Sequence, residues 1–178
     1  MDGLSIQRLS READLTTFDC GETALNEYVT RYALKNQFSH FAVTYIASIE
    51  DDTAGFVTLA ASQITRAEVD PAVKRVPRYP LPTLTLARLG VDVRWRGRGI
   101  GTAMLRFGLT EAVRMADEFG CVGVRLAAKS DAVGFYERFG FVLIEPLGTS
   151  AASTVPMFLP LNQIEDALGV TRSSGGEG

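Results

Sequence analysis

A chain of 178 residues with 46% hydrophobic and 22% charged positions holds enough apolar material for one sizeable core, which excludes disorder over most of its length. A formal net charge of -3 excludes a protein that coats nucleic acid indiscriminately. Two distant cysteines, Cys20 and Cys121, and a single histidine, His40, leave no zinc set, so no metal is expected.

No run approaches the roughly 18 apolar residues of a membrane span, and the N-terminus lacks a basic segment before an apolar one. A soluble cytoplasmic protein, with no membrane partner, is expected. Charge is unevenly placed, however. From Arg66 to Arg106 stand nine Lys/Arg, including Lys74, Arg75, Arg78 and Arg88, against three acids, which points to a polyanionic ligand met at one face.

In chain order, "FDCGETALNEYVTRYALKNQ" reads as a cap followed by a helix, with Leu25, Tyr28 or Val29, and Tyr32 recurring at helical spacing. "FAVTYIASI", an Asp51-Asp52 turn and "TAGFVTLAAS" make a β-hairpin pattern. Pro77, Pro80 and Pro82 mark a loop before the buried-strand pattern "TLTLARLGVDV". After the glycine-rich "RWRGRGIG", Met104, Phe107, Ala112, Met115 and Phe119 share one face of a helix that starts near Thr102 and ends at Gly120.

"CVGVRLAA" then reads as a strand parallel to the earlier one, "SDAVGFYERFG" as a short helix, and "FVLIEPL" and "VPMFLPL" as final strands. The order is mixed α/β. A single domain over residues 1–165 is expected, with a Ser/Gly-rich flexible tail over 166–178.

Gly97, Gly99 and Gly101 alternate with Arg96, Arg98 and Ile100 directly before the helix, so several unshielded backbone N–H groups can converge on one anion beside the helix N-terminus. The spacing is neither the dinucleotide G-x-G-x-x-G nor a P-loop. In isolation such a turn also fits a solubilising surface loop. Its place between a buried strand and an amphipathic helix, with "FYERFGF" some forty residues on, favours a phosphate cradle.

The pattern Arg96-x-x-Gly99-x-Gly101 followed by "FYERFGF" resembles the GNAT superfamily of acyl-CoA-dependent N-acetyltransferases, over about Ile6 to Leu161. The resemblance implies an α/β (α+β) GNAT fold: a mixed central sheet of about six or seven strands, splayed at the cofactor site and flanked by helices. It implies acetyl-CoA as acetyl donor. The backbone of Arg96, Gly97, Arg98, Gly99, Ile100, Gly101 and Thr102 would hold the pyrophosphate, and Leu89 and Val91 would meet the pantetheine. The Val91 amide would serve the thioester carbonyl, and Tyr136 would protonate the departing thiolate. Lys129 stands where relatives often carry Asn and is a candidate phosphate contact.

Phe135 and Phe139, an i, i+4 pair, can cover the core face of their helix, leaving Tyr136 to point elsewhere. No strong general base is evident, since His40 lies far from both motifs. Neutralising a lysine amine at pH 7 costs about 4.6 kcal/mol, against about 1.1 kcal/mol for an α-amine, so an α-amine acceptor is expected.

Two longer phrases, "FDCGETALNEYVTRYALKNQ" and "RYPLPTLTLARLGVDVRWRGRGIG", resemble the GNAT toxins of type II toxin-antitoxin pairs. That resemblance implies acetylation of the α-amine of aminoacyl-tRNA, translation block, a ribbon-helix-helix antitoxin and a homodimer. Lys74, Arg75, Arg78 and Arg88, with Arg31 and Lys35, would face the tRNA. Arg94 and Arg98 would be idle or extend that surface. The alternatives are a GNAT acting on a small-molecule amine or protein N-terminus, and a non-enzymatic acyl-CoA-binding module.

Overall fold

The computed structural model describes residues 3–68, 78–144 and 153–170. By contact density the chain divides into two compact units, Met1–Ser62 with Leu84–Leu109, and Gln63–Thr83 with Thr110–Gly178. Seven strands and five α-helices among the described residues make the class mixed α/β.

In the first unit, β1 (Leu4–Arg8), β2 (Val43–Ile49) and β3 (Asp52–Ile64) form an antiparallel meander, with Ile6 opposite Ala47 and Val43 opposite Leu59. The β2–β3 hairpin is the expected one. It is tightened by a register shift after Ala47 and by Glu50 in the left-handed region. β1 carries no strand signal beyond five residues of weak alternation, and was not anticipated.

The helical segment that follows β1 is not continuous. α1 (Thr23–Glu27) passes through a π turn (Tyr28–Tyr32) into α2 (Ala33–Phe38), and the Ala33 N–H donates to the Tyr28 carbonyl five residues back. The wider turn adds one residue to the period. Core positions therefore run Val29, Ala33, Gln37, and Tyr32, expected inward from a 3.6 period, is 53% exposed. Gln37 can be buried because its amide donates to the Leu9 carbonyl at 2.8 Å and accepts the Thr44 N–H at 3.2 Å. Tyr28, Val29 and Ala33 pack with Leu9, Phe18, Cys20, Ile46 and Phe56. Each large apolar side chain so buried contributes about 1.5–3 kcal/mol.

β4 (Leu81–Val91) takes in Pro82, expected in the loop before it, as its second residue, where a strand end tolerates the missing N–H; Gly90 within it is obligatory, since a Cβ there would lie 2.6 Å from the Phe56 ring. α3 (Ile100–Glu118) begins two residues earlier than expected. Ile100, Met104, Leu105 and Leu109 are buried in the first unit, Phe107 packs on Tyr45 at 4.6 Å between ring centroids, and Ala112, Val113 and Met115 are buried in the second. Phe119 departs from the expected face. It lies past the last helical residue, where the chain turns through left-handed Gly120, and is 70% exposed.

In the second unit, β7 (Thr154–Pro160) lies between β5 (Gly123–Lys129) and β6 (Val142–Leu143) and is antiparallel to both. The strand expected over "FVLIEPL" is thus only two residues long, and residues 145–152 lie outside the described ones. α4 (Val133–Glu137) connects β5 to β6. α5 (Leu161–Leu168), capped by left-handed Gly169, was not anticipated, and it carries helix past the expected boundary at residue 165. Ile164 anchors it, fully buried.

Candidate functional site

Within the first unit, Gly97 and Gly99 both adopt left-handed conformations, with φ of 73° and 79°, immediately before α3. The leading N–H groups of a helix have no intrahelical acceptor, and nineteen aligned peptide dipoles place partial positive charge at the same end. A Cβ added at Gly97 would meet nothing within 4 Å, so this face of the turn is open to a ligand. Ile100, 1% exposed, pins the turn to the core.

None of the three arginines in this stretch is idle. Arg94 donates through Nε and Nη2 to the Asp92 carboxylate at 2.9 and 3.0 Å. Arg96 donates to the Cys20 carbonyl, and Arg98 lies 4.9 Å from the Trp95 ring centroid. The run of backbone amides from Gly97 to Thr102 is on offer to an anion, with the exposed Arg98 guanidinium beside it. A donor set of amides at a helix start fits the pyrophosphate of coenzyme A.

Asp92 organises this turn. It is fully buried and accepts N–H bonds from Asp19 at 3.1 Å and Arg94 at 2.9 Å as well as the guanidinium contacts. Burial pushes its pKa up, but these hydrogen bonds prevail and hold the carboxyl below its ordinary value. The Val93 N–H returns a bond to the Asp19 carbonyl at 2.9 Å. Asp19 in turn accepts from the Gly21 N–H and the Asn26 amide, both at 2.7 Å. The "FDCG" loop and the glycine-rich turn are therefore one hydrogen-bonded assembly. Gly21 is left-handed, and a Cβ on it would stand 3.1 Å from the Arg96 guanidinium.

Sequence reasoning missed Asp92, Asp19, Asn26 and Trp95. One signal was readable: Asp-x-Gly at positions 19–21 is an Asx-turn spacing. The bond between Asp19 and Asp92 has no local signature.

Leu89 and Val91 are half-buried on β4. Arg88, on the same strand, is exposed, and its guanidinium lies 3.8 Å from the Tyr28 ring centroid. Tyr28 also stacks on Phe56 at 6.4 Å, and its buried hydroxyl has no hydrogen-bond partner among the described residues. Arg78 is exposed before β4, whereas Lys74 and Arg75 lie outside the described residues. His40 is exposed with φ of 59°.

In the second unit, the expectation that Phe135 and Phe139 shield the core alone is reversed. Both are half-buried, while Tyr136, 9% exposed, is the buried residue of α4. Phe139 lies two residues past the end of α4, where its N–H donates to the Tyr136 carbonyl, so the i, i+4 geometry of a continuous α-helix does not hold between the two phenylalanines. The ring of Tyr136 meets Phe135 and Phe141 edge-on at 5.1 and 5.7 Å. Desolvation pushes its hydroxyl pKa up to about 12, so it holds its proton throughout the neutral range. Lys129 closes β5 and is exposed. Among the described residues no three His, Cys, Asp or Glu could hold a metal ion, and no helix is long and apolar enough to cross a membrane.

Residues 40–143 match the family described as "Acetyltransferase (GNAT) domain". A tRNA-acetylating toxin from Mycobacterium tuberculosis (strain ATCC 25618 / H37Rv) is 32% identical over 143 residues, covering 79% of this chain and 86% of that protein. Among solved structures, AtaT complexed with acetyl-methionyl-tRNAfMet is similar with a TM-score of 0.81 and 26% identity, over 93% of this chain and 99% of the other. A tyrosine-to-phenylalanine mutant of AtaT, bound to acetyl-CoA and the C-terminus of the antitoxin AtaR, is similar with a TM-score of 0.76 and 26% identity, over 94% and 99%.

Proposed function

Because the chain belongs to the GNAT acetyltransferase family, we propose that it acetylates the α-amine of the amino acid on charged tRNA, as a toxin that blocks translation. The observation that carries this reading is the left-handed glycine turn at the start of α3. Arg94 is held by Asp92 and Arg96 by Cys20, which leaves the backbone amides, with the exposed Arg98 beside Trp95, to take a pyrophosphate. The tRNA-acetylating relative and the tRNA-bound structural neighbour support the acceptor.

Acetyl-CoA supplies the acetyl group as a thioester. Leu89 and Val91 are proposed to line the pantetheine along β4, with the Val91 amide donating to the thioester carbonyl as charge develops there. Tyr136 is proposed as the general acid. A hydroxyl held at about 12 by burial is fully protonated at neutral pH and can donate as the thiolate leaves. An α-amine acceptor, with a pKa of about 7.8, reaches its neutral form with no dedicated base.

Arg78 and Arg88 are exposed cations proposed to meet tRNA phosphates, Arg88 with its direction set by the Tyr28 ring. Inhibition by an antitoxin is supported by the antitoxin-bound neighbour. A ribbon-helix-helix class for that antitoxin and a homodimer rest on the family resemblance, and a cytoplasmic site of action follows from charged tRNA as substrate. Incubating the protein with labelled acetyl-CoA and a mixture of charged tRNAs tests the reading. N-acetyl-aminoacyl-tRNA is the expected product. Transfer only to free polyamines or peptides would overturn it.

A further inference from the structure

The hydrogen bonds that join the "FDCG" loop to the glycine turn continue past the loop. Asn26, on α1, uses both ends of its side-chain amide there: Oδ1 accepts the Cys20 N–H at 2.9 Å, and Nδ2 donates to the Asp19 carboxylate at 2.7 Å. Asp19 and Cys20 are the two residues held from the other side by Asp92, Val93 and Arg96. α1 is five residues long, too short to be stable alone, and its N-cap Glu22 makes no side-chain capping bond. Asn26 is therefore the polar group that fixes the start of this helix to the loop.

From Asn26 the contacts lead on to β4. Tyr28, two residues further, opens the π turn, is 6% exposed, and carries the Arg88 guanidinium over its ring at 3.8 Å. Arg88 makes no ion pair among the described residues, so the Tyr28 ring is what directs it. Tyr28 also stacks on Phe56, which packs against Gly90, one residue before Val91. β4 then runs through Val91 into Asp92 and the glycine turn. Turn, loop, α1 and the end of β4 form a closed circuit of contacts within the first unit, and Asn26 is its link between loop and helix.

We infer that Asn26 is a positioning residue for acetyl transfer: it ties Tyr28, and through it Arg88, to the turn that takes the cofactor. A ligand on the turn restrains Asp92 and Arg96, these restrain Asp19 and Cys20, and Asn26 passes the restraint to α1, whose local opening becomes rarer. Placing the acceptor at Arg88 rests on the proposed function; the link from the turn to α1 does not.

The test uses the full chain with coenzyme A alone and reads amide hydrogen exchange by mass spectrometry. In the wild type, coenzyme A is expected to slow exchange at the glycine turn and, by about fivefold or more, over residues 22–33. Asn26→Ala removes both side-chain bonds. Asn26→Asp keeps the size and the acceptor for the Cys20 N–H but sets a carboxylate against that of Asp19. In both variants coenzyme A is expected to protect the turn as in the wild type and to leave exchange over 22–33 unchanged. A merely structural Asn26 would quicken exchange in α1 with and without coenzyme A alike and leave the effect of the ligand at its wild-type size, which would overturn the inference. So would a wild type whose residues 22–33 exchange no more slowly with coenzyme A. In transfer to charged tRNA, KM for the tRNA is expected to rise about tenfold in both variants, with KM for acetyl-CoA within about twofold of wild type. A wild-type KM for the tRNA in both would also overturn the inference. A wild type that shows the coenzyme A effect over 22–33 but acetylates no charged tRNA would uphold the link and refute the proposed function.

Discussion

The carboxylate of Asp92 accepts the backbone N–H of Asp19, 73 positions earlier in the chain, at 3.1 Å. This bond joins the "FDCG" loop to the turn that precedes α3. It explains why two phrases far apart in sequence act as one unit. Asp92→Ala would remove the acceptor of the part-buried N–H groups of Asp19 and Arg94, at a cost of about 1–3 kcal/mol measured by urea unfolding at pH 7.

The same residue gives an acid limb to stability. Its folded pKa is depressed, so its contribution is present above the unfolded value of about 3.9 and is lost as pH falls through the lower folded value. The stability gap between wild type and Asp92→Asn should therefore be full at neutral pH and shrink below about pH 4. A gap unchanged across that window would show that Asp92 does not act through its charge.

Gly99→Glu should abolish acetyl-CoA binding in calorimetry. The left-handed φ of 79° disfavours any Cβ, and the added carboxylate would project negative charge at an anion-binding turn. Gly97→Ala is milder, because its Cβ would meet open space and only the strained φ, about 1 kcal/mol, is charged against it. Acetyl-CoA affinity unaltered by Gly99→Glu would show the cradle to be misassigned.

Tyr136→Phe keeps the edge-on contacts with Phe135 and Phe141 and removes only the hydroxyl. Transfer is expected to slow by about 10²–10⁴-fold in kcat, with acetyl-CoA affinity within about twofold of wild type. A wild-type rate would remove Tyr136 from the chemistry.

The pH profile follows from the same group. Transfer should rise through about pH 7.8 as an α-amine loses its proton, and the rate should not fall between about pH 9 and 11. Tyr136 keeps its proton there, because burial has raised its pKa to about 12. Folding stability behaves oppositely at the alkaline end. The folded state holds this proton more tightly than the unfolded chain, so the contribution is full below about pH 10 and declines as pH rises toward 12. Tyr136→Phe should lack that decline in denaturant titrations.

Local chemistry determined much of this protein in advance. The hairpin β2–β3, the strand β4, the helix α3 and its Gly120 stop are visible as period and punctuation, because they depend on neighbours within a few residues. The glycine turn is legible for the same reason, since left-handed φ at Gly97 and Gly99 is a property of the residue itself. What the tertiary structure decided are choices between equally local options. A π turn moved the core position from Tyr32 to Ala33 because Val29 and Gln37 had to face the same side. The burial of Tyr136 rather than Phe135 or Phe139 was set by how a five-residue helix meets its own unit. The arginines of "RWRGRG" found Asp92, Cys20 and Trp95 as partners. The Cys20 contact spans 76 positions, a separation over which sequence spacing carries no information about distance.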